Sequence, residues 1–147
     1  MSIRSAHEGD LPEILDLDRK AFPDDPYPYF VLRQYFDGYS DRILVLDDGK
    51  HLHGYVLFVT TSDGSVCWVL SLAISTERRG RGLGRRLMLE VMRQSRQERV
   101  HEVRLTVEPA NTAAIMLYES LGLSAEDGVR RDYFGPGEDR LLMSLKL

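Results

Sequence analysis

The chain has 147 residues, the span of one ordinary domain, and its 43% apolar and 29% charged residues exclude disorder, collagen and coiled coil as descriptions of the whole. Its single cysteine, Cys67, excludes an internal disulfide and any multi-cysteine zinc site. The net charge of −4 argues against general nucleic-acid binding, but it is uneven: residues 1–75 hold 6 basic and 12 acidic side chains, residues 76–147 hold 13 and 11, and five arginines fall from Arg78 to Arg86.

That asymmetry suits an anion site beside a surface that attracts a cation. No charged-then-apolar leader opens the sequence, and the longest apolar stretch, Tyr55–Val59, is far below the ~18 residues of a membrane span. The expectation is a cytoplasmic protein without a membrane partner.

Asp10-Leu11-Pro12-Glu13 reads as a helix start, with Asp10 as N-cap, Glu13 at the capping-box position and Leu11, Ile14 and Leu15 on one face. Pro23, Pro26 and Pro28 end it. A short second helix is expected over Tyr29–Phe36, stopping near Gly38. Arg42–Asp47 and Leu52–Thr61 read as strands joined by an Asp48-Gly49 hairpin turn, and Asp63-Gly64 marks the next turn. Val66–Ile74 is a nearly continuous apolar run, the pattern of a central strand.

Leu83, Leu87, Met88, Val91 and Met92 recur at helical spacing, so a helix is expected from about Leu83 to Glu98. Val103, Leu105 and Val107 alternate with polar residues as in a strand. Asn111 caps a further helix that ends at Gly122, and two final strands flank Gly135-Pro136-Gly137. The order describes an α/β (α+β) domain, single over residues 1–147, with a mostly antiparallel front half.

The chemistry concentrates in Arg78-Arg79-Gly80-Arg81-Gly82-Leu83-Gly84-Arg85-Arg86, between the apolar strand and the amphipathic helix. Glycines let the backbone approach a ligand, the first helical N–H groups have no partner inside the helix, and arginines add charge; together they suit a phosphate or pyrophosphate. A Walker loop is excluded because no Gly-Lys-Ser/Thr occurs, and a dinucleotide fingerprint because its third glycine is missing. His51-x-His53 puts two rings on one strand face without a third ligand, so no metal site is expected. Cys67, in an apolar strand, reads as core.

Two motifs in order carry a resemblance. Arg79, Gly82 and Gly84 match an Arg/Gln-x-x-Gly-x-Gly/Ala pyrophosphate signature. Asn111-Thr-Ala-Ala114-Ile-Met-Leu117-Tyr118-Glu119-Ser-Leu-Gly122-Leu123 matches a second signature with Leu for a final Phe. Over Trp68–Leu123 the chain resembles the GNAT superfamily of acyl-CoA-dependent N-acetyltransferases. Arg130–Phe134 and Gly137–Leu145 are similar to its ribosomal-protein-alanine and other protein N-terminal acetyltransferase branch.

The resemblance implies a GNAT fold: a mixed, mostly antiparallel sheet of six to seven strands, about four helices and a splayed acyl-CoA cleft. It implies acetyl-CoA as co-substrate, no metal, and direct attack by an amine acceptor such as a protein N-terminus; a small-molecule amine acceptor and a non-catalytic acyl-CoA-binding module are the alternatives. A monomer or homodimer is expected.

By the same resemblance, backbone groups of Leu72, Ala73 and Ile74 hold the pantetheine arm, and those of Arg79, Gly80, Arg81, Gly82, Leu83, Gly84 and Arg85 hold the pyrophosphate. Asn111 lies near the pantetheine end, and Tyr118 is the general acid. Thr106 stands where the branch has a glutamate base, which leaves Glu108 or a water ordered by Thr106 as candidates. Tyr27, Tyr29 and Tyr133 are the candidate acceptor-binding aromatics.

Overall fold

The computed structural model describes residues 1–147. In chain order the elements are β1 (Ser2–Ser5), α1 (Leu11–Ala21), α2 (Tyr29–Tyr39), β2 (Ile43–Asp47), β3 (Leu52–Thr60), β4 (Val66–Ile74), α3 (Leu83–Gln97), β5 (Glu102–Val107), α4 (Thr112–Ser120), β6 (Ser124–Arg130) and β7 (Arg140–Lys146). The strands form one open mixed sheet in the order β1-β2-β3-β4-β5-β7-β6. The residues group into two compact units, Met1–Val59 with Ser71–Val91, and Thr60–Leu70 with Met92–Leu147, so β4 contributes to both.

In the first unit β1 pairs antiparallel with β2, and β2 with β3. Ile43–Leu46 and Leu52–Phe58 are buried without alternation, as strands covered on both faces must be. Leu11 and Ile14 of α1, Leu32 of α2, and Leu87, Met88 and Val91 of α3 supply the buried helix stripes.

Strand β1 was not anticipated, because Ser2-Ile3-Arg4-Ser5 has one apolar residue; it forms because the β2 edge offers backbone partners from Leu44 to Asp47. The start of α1 also differs. Asp10 precedes the helix without capping it: its carboxylate accepts the His7 N–H at 2.7 Å and two Arg4 bonds at 2.7 and 3.1 Å. The Arg4 guanidinium holds the Asp10 carboxyl below its ordinary range. Glu13 accepts instead the Leu52 N–H of β3 at 2.9 Å, so other partners take both acids of the expected capping box. Helix α2 runs through Gly38 to Tyr39 before tightening into a turn at Ser40–Arg42, since one glycine near a helix end costs only about 1 kcal/mol.

Gly54 has a packing role that the sequence pattern hid. A Cβ there would lie 2.7 Å from Ile74 Cδ1, 3.1 Å from the Ala73 carbonyl oxygen and 3.2 Å from Leu46 Cδ1. The missing side chain lets β3 approach the end of β4 closely. Gly54→Ala is expected to lower stability by about 1–3 kcal/mol through overpacking, read as a shift in denaturant midpoint at constant slope.

In the second unit, Val66–Val69 of β4 pair parallel with Glu102–Leu105 of β5. The β5–β7 and β6–β7 pairs are antiparallel, the latter with a bulge between Glu126 and Val129. Val103, Leu105 and Val107 point inward while Glu102, Arg104 and Thr106 are half-exposed, the expected alternation. Cys67 is buried with Val69, Met92, Leu123, Leu142 and Met143 in this core.

Candidate active site

The arginine–glycine segment folds as a loop that opens a helix. A short turn at Thr76–Arg78 leads from β4 to Arg79, and Gly80 and Gly82 adopt φ of +78° and +75°, which only glycine takes readily. The first helical bond of α3 is Arg86 N–H to the Gly82 carbonyl, at 3.0 Å. The N–H groups of Leu83, Gly84 and Arg85 therefore precede the helix ladder. A Cβ on Gly80 or Gly82 would meet nothing within 4 Å, so the loop presents bare backbone to open space.

Leu83 is buried and pins the helix start, whereas Arg79, Arg81 and Arg85 are exposed around it. Arg79 Nε also reaches back to the Ile74 carbonyl at 3.4 Å, tying the loop to the end of β4. Along that strand end Ala73 is 2% exposed, and Leu72 and Ile74 are half-buried. Backbone N–H groups ahead of the helix ladder, a helix N-terminus and three exposed arginines are groups that suit an anion.

The three candidate acceptor aromatics have different surroundings. Tyr27 is half-buried, its ring edge-on to Tyr35 at 6.4 Å, and its backbone N–H donates to Asp18 at 2.7 Å; burial pushes its phenol up to about 12. Tyr29 opens α2 and is exposed. Tyr133 is exposed in the loop between β6 and β7, stacked edge-on against Phe134 at 5.0 Å.

In the second unit, Asn111 caps α4, its Oδ1 accepting the Ala114 N–H at 3.2 Å. Tyr118 follows two turns later and is only 8% exposed; burial pushes its phenol up to about 12. Glu108, just past β5, is exposed, with Oε1 3.6 Å from Arg140 Nη2. Arg140 is 8% exposed, 3.2 Å from Glu138 and packed over the Phe134 ring at 5.1 Å. It thereby gathers the β6–β7 loop and Glu108 around one cation. The Glu108 contact has no local signal, because Glu108 lies far from Arg140 in the chain.

The half-exposed face of β5 is also organised. Arg104 stacks on Trp68 at 5.4 Å, bonds Glu126 at 2.5 Å and lies 3.3 Å from Glu102. Thr106 is half-exposed on the same face.

His51 and His53 separate in environment. His51 is exposed, whereas His53 is buried with Nε2 2.6 Å from Asp48. Asp48 also accepts the Lys50 and His51 N–H groups, and these bonds hold its carboxyl well below the usual range. No group of three or more His, Cys, Asp or Glu is placed to hold a metal ion, and no helix is long and apolar enough to cross a membrane.

The fold, with a loop-and-helix crossover between its parallel strands, is that of an acyl-group transferase family. The chain belongs to the acetyltransferase (GNAT) family, whose model matches residues 10–123, and it is an N-acetyltransferase of that family. It is 29% identical over 159 residues to an N-alpha-acetyltransferase of Sulfurisphaera tokodaii, spanning 99% of this chain and 92% of that protein. It is 33% identical over 161 residues to the [ribosomal protein bS18]-alanine N-acetyltransferase of Escherichia coli, spanning 99% and 97%. Among solved structures it matches a chain of the NatC complex bound to Gag peptide and CoA, with a TM-score of 0.86, 19% identity and coverage of 99% and 98%.

Proposed function

We propose that this chain works as one catalytic domain that transfers the acetyl group of acetyl-CoA to the N-terminal amine of a protein or peptide. The observation that carries the acceptor class is end-to-end likeness: the two relatives described above are named as an N-alpha-acetyltransferase and a [ribosomal protein bS18]-alanine N-acetyltransferase, and each alignment takes in 99% of this chain. The loop at Gly80–Arg85 supports the co-substrate, since bare backbone with φ above +70° at two glycines fits the pyrophosphate of CoA.

In this reading the Arg79–Arg85 backbone grips the pyrophosphate, and the Leu72–Ile74 backbone lies along the pantetheine arm and polarises the thioester carbonyl. The neutral amine attacks that carbonyl, forming the C–N bond. As the tetrahedral intermediate collapses, the C–S bond breaks and the Tyr118 phenol donates its proton toward the departing sulfur. The amine's surplus proton passes to Glu108 or to a water held at Thr106, and Tyr118 is reprotonated from solvent. Tyr27 and Tyr29 at the α1–α2 loop, and Tyr133 in the β6–β7 loop, are the proposed acceptor-binding aromatics.

The test is acetyl transfer to a pool of peptides with free or blocked N-termini, with and without lysine, read by mass spectrometry. Small amines are run beside it with CoA release as the readout. Label on free N-termini alone is the expected result. CoA released by a small amine with no peptide labelled would move the assignment to small-molecule acetylation. No CoA release with any amine would leave a non-catalytic acyl-CoA-binding module.

A further inference from the structure

Asp18 is a buried acid that the proposed chemistry does not use. It lies in the last half of α1, is 1% exposed, and faces three other segments of the first unit. Its Oδ2 accepts the backbone N–H of Tyr27 at 2.7 Å, in the loop between α1 and α2. Its Oδ1 accepts the Tyr55 hydroxyl of β3 at 2.5 Å. Ser71 Oγ of β4 lies 3.2 Å from the same Oδ1 and 2.9 Å from the Tyr55 oxygen, so its single proton goes to one or the other. Tyr55 is fully buried, and desolvation together with the Asp18 charge holds its phenol well above the ordinary range, so it stays a donor.

A buried carboxylate is costly unless it is fully hydrogen-bonded, and removing one partner costs more than the pair contributes. Here each oxygen is used, and the two oxygens serve different places. Oδ2 fixes the main chain of the loop that carries Tyr27. Oδ1 is bound to β3 and to Ser71, the residue immediately before Leu72, Ala73 and Ile74. One rigid, planar group thus sets the distance between the candidate acceptor loop and the strand end proposed to hold the thioester. Catalysis by direct transfer depends on that distance, because an ångström of misplacement between reacting groups costs on the order of 100-fold in rate.

We infer that Asp18 is a positioning residue for acetyl transfer, holding the acceptor loop in register with the thioester strand; this rests on the acetyltransferase reading above. It touches neither substrate and acts through the Tyr27 main chain and Ser71. Asp18→Asn keeps the shape but turns one oxygen into a donor, which opposes either the Tyr27 N–H or the hydroxyl pair. The cost falls on the acceptor: KM for the amine rises about tenfold and kcat falls by a similar factor, while the acetyl-CoA dissociation constant stays within about twofold. The Tyr27 amide exchanges with solvent deuterium faster in Asp18→Asn than in wild type.

The assay uses whichever amine the wild-type enzyme accepts, so failure of the N-terminal reading and failure of this one are separate outcomes. Where Asp18→Asn does not fold, Tyr55→Phe with Ser71→Ala cuts the link to β3 and β4 while leaving the Tyr27 bond. The same rise in acceptor KM is expected of it. A folded variant with unchanged acceptor KM overturns the proposal, as does activity that falls only in proportion to the folded fraction.

Discussion

Gly82→Glu is expected to abolish acetyl-CoA binding, with affinity lost by more than about 100-fold, and to leave the fold intact. The reason lies in what the new side chain meets. A Cβ at Gly82 has no protein atom within 4 Å, so the substitution disturbs no packing inside the chain. It carries two burdens instead. A non-glycine residue at φ +75° is strained by roughly 1–2 kcal/mol, enough to lower stability without unfolding a domain. The carboxylate enters a site built from helix N–H groups and arginines, where a pyrophosphate needs the same donors.

Gly82→Ala separates the two burdens, since it brings the strain and a methyl group without charge. Calorimetric titration with acetyl-CoA is expected to rank the affinities wild type, then Ala, then Glu, with the Glu variant showing no heat of binding. Equal affinities in all three would remove the loop from the cofactor site.

The loop was legible in the sequence because its signals are local. Glycines at Gly80 and Gly82 announce positive φ, arginines announce the charge, and the periodic Leu87-Met88-Val91 stripe announces the helix whose N-terminus the loop opens. The apolar run Val66–Ile74 likewise reads as a central strand and lies between β3 and β5, although its burial alternates, with Cys67, Val69, Ser71 and Ala73 buried and the residues between them half-buried. Asn111 caps its helix as its spacing implied, since a cap is satisfied within three residues.

What stayed hidden depends mostly on residues far apart in the chain. Asp10 and Glu13 have the spacing of a capping box, yet the nearby Arg4 guanidinium claims Asp10 through charge-assisted bonds and the distant Leu52 N–H claims Glu13. Asp18 looks like one more polar residue on α1 until Tyr27, Tyr55 and Ser71 converge on it. Arg140 has Glu138 and Phe134 close by in the chain, but only the fold brings Glu108 to its guanidinium. The base is the sharpest case. Thr106 shares a strand face with the Arg104–Glu126 pair, and Glu108 faces Arg140, so neither the sequence spacing nor a lone carboxylate singles out the proton acceptor.

Tyr118→Phe is expected to cut kcat by about 100-fold while acetyl-CoA affinity stays within about twofold, the signature of an interaction made only as the thiolate departs. The side chain is 8% exposed, so removing one oxygen leaves the ring packed as before and the helix in place. Burial pushes the phenol up to about 12, from about 10 in water. That keeps it protonated at every pH where the amine substrate is free to attack. A phenol at that value is a weaker acid than a thiol in water, but a thiol leaving into the same desolvated surroundings is raised as well, which narrows the gap for proton transfer.

The sign of the pH dependence follows. Tyr118 acts in its protonated form, so it imposes no loss of kcat until pH approaches 12, and the alkaline limb expected from an unburied tyrosine near 10 is absent. Stability moves the other way over the same range. The folded state holds the Tyr118 proton to a higher pH than the unfolded chain does, so the contribution of that burial is complete below about pH 10 and is lost as pH rises toward 12. Rate profiles between pH 6 and 10.5, with folding checked by circular dichroism at each point, separate the two effects. A wild-type kcat that falls with an apparent pKa near 10 while the fold persists, together with full activity in Tyr118→Phe, would take the acid role away from Tyr118.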